Sequence, residues 1–319
     1  MEPLKKFSFS NSNKTNPVTS KSQSAKKKNL PGPMNPLNFM IMAMFKFAKK
    51  PLLVDINYRI GIYLCVVSVG SVYFDIFRMP SSYLSNKYNI FNQIFVKWAW
   101  GWTLSILFCF IVTTSYIYTG GNTSQMRRQV LRLFVGTIWW YICTGIFQTI
   151  ENETGACHLK INNKYVYESS IANKRICKQK TGVWLGFDIS GHVFLLVLCN
   201  MWIFEETKIL HLWQRLDRFV LSNSDTVRST TVTSSEIVNI RKSYRKLNIN
   251  VKIISGVLSL LSILWDFMLI VTIIYFHDMP SKLTAVLIAV FCWFISYRFI
   301  FKSNLSFMPN LPENLLMIF

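Results

Sequence analysis

The chain has 319 residues, 51% of them hydrophobic, a mean hydropathy of +0.29 and a formal net charge of +20. Several almost uncharged runs, each roughly 20 residues long, exclude most soluble folds and define an all-α, polytopic membrane protein; because the runs are continuous rather than alternating, they also exclude a transmembrane β-barrel. The basic residues lie between these runs without any RNA- or DNA-binding motif, so anionic lipid headgroups and a phosphorylated substrate, not nucleic acid, account for the charge.

Residues 1–33 are rich in Lys, Ser, Asn and Pro, with Lys26-Lys27-Lys28, and cannot bury a core. They are expected to form a disordered basic tail, and no early apolar region suggests a cleaved signal peptide. Residues 34–56 hold a short apolar run followed by Lys46, Lys49 and Lys50, which predicts an interfacial segment. Six membrane spans follow at 57–77, 97–118, 130–150, 184–204, 253–276 and 283–301, forming a membrane domain over 57–302 and leaving a tail at 303–319. With the N-terminus in the cytosol, the cytosolic side holds 25 of the 35 Lys and Arg residues, which predicts both termini there.

The loop at 151–182 then faces the lumen. It carries the glycosylation acceptor pattern Asn152-Glu153-Thr154 and two cysteines, Cys157 and Cys177, which an oxidising lumen joins or leaves as free thiols. The other five cysteines lie inside apolar runs and read as packing residues. The cytosolic loop at 205–250 opens with Glu205-Glu206. An amphipathic stripe of Ile209, Leu212, Trp213, Leu216, Phe219 and Val220 comes next, then a Ser/Thr linker at 222–235. Arg241 to Lys246 reads as a positive-inside anchor before span five, with headgroup binding as the other reading.

Of four histidines, His158 and His211 read as solvated or interfacial. His192 and His277 differ, because the topology puts both at the lumenal ends of spans despite the 85 residues between them. His192 closes the string Gly186-Phe187-Asp188-Ile189-Ser190-Gly191-His192, and polar groups at the mouth of a span are costly enough to suggest function. Ser190 is placed to cap a helix whose free amides and positive dipole end face an anion, and Gly191 permits close approach of a ligand. Asp188 lies four residues before His192 and, if that stretch is helical, fixes its tautomer. Lys178, Lys180 and Lys282 are near enough in sequence to supply positive charge to a phosphate. A helix starting at Trp184 buries His192 roughly 12 Å along the span, away from His277 at the rim. Either the site dips into the bilayer, or span four starts near Ser190 and runs past Glu205-Glu206.

At 186–192, at Glu205-Glu206, at Leu264-Trp265, at Tyr275-Phe276-His277 and at Tyr297-Arg298 the chain resembles the fat storage-inducing transmembrane (FIT) family, over about 57–302. The resemblance implies an endoplasmic reticulum membrane protein that splits the phosphoanhydride of fatty acyl-CoA into an acyl 4′-phosphopantetheine and adenosine 3′,5′-bisphosphate, in support of lipid droplet formation and phospholipid balance. Through that family's likeness to the lipid phosphatase/phosphotransferase superfamily, it implies that His277 attacks phosphorus and His192 protonates the leaving oxygen. It implies no cofactor, and two histidines do not complete a zinc set. The chain departs from the superfamily pattern: Arg78-Met79-Pro80 is not its first motif, no Ser-Arg pair precedes His277, and the position of the orienting Asp is Ser281, with Asp278 adjacent to the histidine instead. The rival reading is a non-catalytic protein that binds and partitions neutral lipid; a transporter is disfavoured by the scarcity of mid-span charge and the lack of repeats.

Overall fold

The computed structural model describes residues 36, 40, 50–161, 164–168, 171, 173–221 and 234–303. The expected basic tail, nearly all of the interfacial segment, residues 222–233 of the linker and the tail after 303 lie outside the described residues.

Among the described residues, six helices build the domain: α1 (Ile56–Ile76), α2 (Ala99–Tyr118), α3 (Thr123–Glu153), α5 (Gly191–Thr207), α7 (Ser234–Tyr275) and α8 (Met279–Phe294). Two short ones join them, α4 (Lys174–Gln179) and α6 (Ile209–Leu221). Five of the six are long and apolar enough to cross a membrane. The sixth, α5, has 17 residues and covers about 25 Å at 1.5 Å per residue, close to the thickness of a hydrocarbon core.

Helix α5 is the axis of the bundle. Every residue from Val193 to Thr207 is buried, and α5 touches each of the other five. A helix that is apolar on all sides is stable only when wrapped in this way. In lipid the wrapping is driven by packing and interhelical hydrogen bonds rather than by exclusion of water. Trp202 is enclosed edge-on by Trp100 and Tyr297. Trp265 Nε1 donates to Thr103 Oγ1 at 3.0 Å, and Asn200 Nδ2 to Asp266 Oδ1 at 2.8 Å. The outer helix faces carry exposed Ile62, Val69, Phe108, Phe134, Leu260 and Phe291, the surface a bilayer covers.

Three spans differ from those expected. Helix α3 runs past both ends of the predicted third span; its start is set by Asn122, which caps it by accepting from Ser124 N and Gln125 N. Span four begins at Ser190, not 184, and continues through Glu205-Glu206, which removes the depth conflict between the two histidines. Helix α7 has 42 residues, about 63 Å by the same rise, so it extends beyond the bilayer as one rod. Ser234, Ser235 and the Arg241–Lys246 cluster are therefore helical rather than loop. That projecting part receives the stripe of α6. Ile209, Trp213, Leu216 and Val220 are buried, Trp213 Nε1 donates to Asn248 Oδ1 at 3.0 Å, and Tyr244 OH donates to Asp217 Oδ1 at 2.9 Å. The amphipathic face is thus covered by protein, not by a membrane surface.

The loop expected at 151–182 holds an antiparallel sheet of order β2-β1-β3, formed by β1 (Ala156–Ile161), β2 (Lys164–Tyr167) and β3 (Val183–Leu185). Cys157 on β1 and Cys177 on α4 form a disulfide with Cα atoms 5.7 Å apart and lie in a small core with Ile171. Asn152 is exposed, but it sits in the last turn of α3, so its acceptor pattern begins in helical backbone.

Candidate active site

Helices α1, α7 and α3 end, and α2, α5 and α8 begin, at the end of the bundle that carries the sheet. The string 186–192 crosses this end. Its first half is tied to the base of the sheet: Phe187 N–H donates to Thr154 Oγ1 at 2.9 Å, and the preceding Trp184 Nε1 donates to Glu151 O at 3.1 Å. Gly186 is required there, since a Cβ would collide with the Glu151 carbonyl and lie 2.9 Å from Gly155 Cα. Its second half turns into α5. Ser190 accepts from Val193 N at 3.4 Å as N-cap, and its own N–H donates to Ser281 O at 3.3 Å, tying the start of α5 to the first turn of α8. A Cβ on Gly191 would meet nothing within 4 Å, so there is open space beside the first residue of α5.

His277 sits in the corner between α7 and α8 with φ +56°. Left-handed backbone at a residue other than Gly costs about 1–3 kcal/mol and persists where its surroundings enforce it. The corner turns the ring back across the rim, and Nδ1 lies 3.4 Å from Asp188 Oδ2. That is an ion-pair distance, longer than a tight hydrogen bond. Burial is the main influence on this imidazole and holds its pKa below the usual histidine value; Lys282 pushes the same way, while Asp188 and Asp278 oppose it.

His192 lies one residue inside α5. Its ring stands edge-on to Phe276, with centroids 6.4 Å apart, and is within electrostatic reach of His277 and Lys97. Its Nδ1 is buried and has no hydrogen-bond partner among the described residues. The two imidazoles therefore share one end of the molecule, within electrostatic reach of each other.

Three expectations need correction. Asp188 pairs with His277, not His192, because residues 186–189 are not helical and no helical turn brings positions 188 and 192 together. Lys282 does not face a phosphate: it is 1% exposed, and its ammonium donates to Asp75 Oδ1 at 3.2 Å and Ile273 O at 3.1 Å. Lys180 is exposed at the C-cap of α4, within the sheet subdomain. Asp278 is the N-cap of α8 but makes no side-chain cap bond. Lys97 was missed. It precedes α2 at the same rim, a position that reads from sequence as an ordinary flanking lysine. A hollow of about 890 Å³ lies beside the sheet, lined in part by Glu151, Lys174, Lys178 and Trp184; neither histidine borders it.

If Gly186 carries the strand-to-helix crossing, Gly186→Ala is expected to cost about 1–3 kcal/mol by overpacking. Gly191→Ala, with open space and a helical position, is expected to be neutral or mildly stabilising. Thermal unfolding of both variants in the same detergent checks this contrast.

The fold and site define a multi-pass helical membrane protein with a carboxylate-paired histidine and a second histidine at one rim. The family described as Fat storage-inducing transmembrane protein matches residues 80–297, and the chain belongs to that family. It is 30% identical over 285 residues to the acyl-coenzyme A diphosphatase FITM2 of Drosophila melanogaster, covering 86% of this chain and 65% of that relative. The proteins of the same name from Xenopus tropicalis and Homo sapiens are 34% and 35% identical, over 78% and 76% of this chain and 83% and 81% of theirs. No solved structure matches.

Proposed function

We propose that the protein is an acyl-CoA diphosphatase of the endoplasmic reticulum membrane, with the histidine pair facing the lumen, acting in lipid droplet formation and phospholipid balance. The observation that carries the reaction is the Asp188–His277 pair on the same rim as His192. The activity named for the relatives supplies the substrate class. The excess of basic residues on the opposite side supports the orientation.

The acyl chain of the substrate stays in the bilayer, and its phosphoanhydride lies at the rim. A proton on His277 Nδ1, facing Asp188, leaves the Nε2 lone pair free to attack one phosphorus. This supplies the orienting carboxylate that the superfamily places after its nucleophile; here it comes from 89 residues upstream in sequence. The N–P bond forms as the bridging P–O bond breaks, and His192 gives its proton to the departing phosphate oxygen. Negative charge on the bound substrate favours the imidazolium form of His192. Water, deprotonated by His192, then cleaves the phosphohistidine and regenerates both side chains. Phosphate oxygens are received by the free amides of α5 around Gly191 and by the charge of Lys97.

The test is incubation of the purified protein with oleoyl-CoA and identification of products by mass. Oleoyl 4′-phosphopantetheine and adenosine 3′,5′-bisphosphate are expected; free oleate with intact coenzyme A, or unchanged substrate, overturns the assignment. Because His277 must be neutral to attack and burial lowers its pKa, activity is expected to persist at neutral pH and to fall only below the ordinary histidine range, under about pH 6.5. An acid limb centred above that value contradicts the role given to His277.

A further inference from the structure

The corner that holds His277 is fixed by a device outside the string 186–192. Asp75 lies in the last turn of α1, one residue from the helix end. Its two carboxylate oxygens go to different partners: Oδ2 accepts from Met279 N–H at 2.7 Å, and Oδ1 accepts from Lys282 Nζ at 3.2 Å. Lys282 passes the link on, donating to Ile273 O in the last turn of α7 at 3.1 Å. One carboxylate–ammonium pair thus joins the end of α1, the end of α7 and the first turn of α8. It brackets residues 274–278, and within that bracket His277 keeps its left-handed φ of +56°. Asp188 holds the ring; Asp75 and Lys282 hold the backbone from which the ring hangs.

We propose that Asp75 and Lys282 form a positioning pair for His277, setting the direction of its attacking nitrogen without touching substrate. This rests on the reading of His277 as nucleophile. A carboxylate at the end of a membrane helix is ordinarily a solvated flank. Here it accepts from the amide two residues after the nucleophile and from a lysine that is 1% exposed, a geometry with no purpose in anchoring α1 to water.

Asp75→Asn keeps the size and an acceptor for Met279 N–H but removes the charge; Lys282→Met keeps the apolar stem and removes the cation. Misplacement of a reacting group by about an ångström costs on the order of 100-fold, so each variant is expected to lower kcat by about 10- to 100-fold with KM within about twofold. The groups facing His277 are Asp188, Asp278, Lys282 and His192. Asp75→Asn leaves the Lys282 charge unopposed near the imidazole, so the acid limb of kcat moves to lower pH. Lys282→Met removes that charge, so the limb moves to higher pH. A merely structural pair lowers the amount of folded enzyme and leaves both limbs in place. The measurement is kcat, KM and pH profile on oleoyl-CoA, with the folded fraction counted by size-exclusion chromatography. Wild-type kcat in Asp75→Asn, or limbs that stay put or move together, overturns the proposal. If Lys282→Met does not fold, the kcat and limb of the half-exposed Asp75→Asn decide alone. Full turnover by His277→Asn sinks the nucleophile reading itself, whereas an inactive His277→Asn beside an unaltered Asp75→Asn sinks only the positioning pair.

Discussion

His277→Asn is expected to reduce acyl-CoA cleavage by on the order of 1,000-fold or more while leaving the fold intact. Asparagine suits the test for two physical reasons. It tolerates left-handed backbone better than most residues, so the corner at φ +56° survives. Its amide can still donate toward Asp188, so that carboxylate keeps a partner. What is lost is the nitrogen lone pair that forms the covalent bond to phosphorus, and nothing nearby replaces it. His192→Gln is expected to be less severe, on the order of 100- to 10,000-fold, because it removes proton transfer but not the nucleophile. Rapid-quench experiments on labelled acyl-CoA separate the two: the His192 variant accumulates a phosphorylated protein that turns over slowly, and the His277 variant forms none. Wild-type turnover in His277→Asn removes the covalent mechanism.

The membrane spans were legible because apolar length is a local property: a run of roughly 20 uncharged residues admits few other outcomes. The same-end placement of His192 and His277 was legible too, since counting crossings requires no coordinates. The partner of Asp188 was not. Spacing of four residues points to His192 only if the chain is helical there, and what holds it out of a helix is the close approach of Gly186 to Gly155 and Glu151 at the base of a sheet no pattern announced. Two residues beyond Gly186, the carboxylate therefore faces a different histidine. Asp75 was hidden for a related reason. An acid at a helix end reads as a solvated flank, and only the return of α8 beside α1 gives it Met279 and Lys282 as partners. The sheet itself was obscured because its strands are short and lie in a polar loop whose composition resembles any exposed connection.

Glu205-Glu206 presents the largest departure from a local reading, and from it comes the strongest stability effect. As text, two acids end an apolar span and should meet water. In the fold they stay inside the far end of the bundle. Glu206 accepts Arg132 Nε at 2.7 Å and a second guanidinium nitrogen at 2.6 Å, and Tyr297 OH donates to it at 2.7 Å. Gln129 completes the guanidinium, and Glu205 takes Trp293 Nε1 at 3.0 Å and Lys208. Arg132 is 1% exposed and Glu206 2%, so either charge alone would be stranded without solvent. Breaking such a pair from one side costs about 3–5 kcal/mol, whereas replacing both partners by apolar residues of similar volume is often close to neutral. Arg132→Met and Glu206→Leu are each expected to lower the thermal midpoint in detergent sharply, and the double variant to recover most of that loss, with the buried Tyr297 OH, which loses its acceptor, limiting the recovery. The pair lies at the opposite end from both histidines, so the folded fraction of each variant should keep the KM of the parent. Additive losses in the double variant would mean that Arg132 and Glu206 are not stabilising one another, and that the tie between α3, α5 and the end of α8 has some other source.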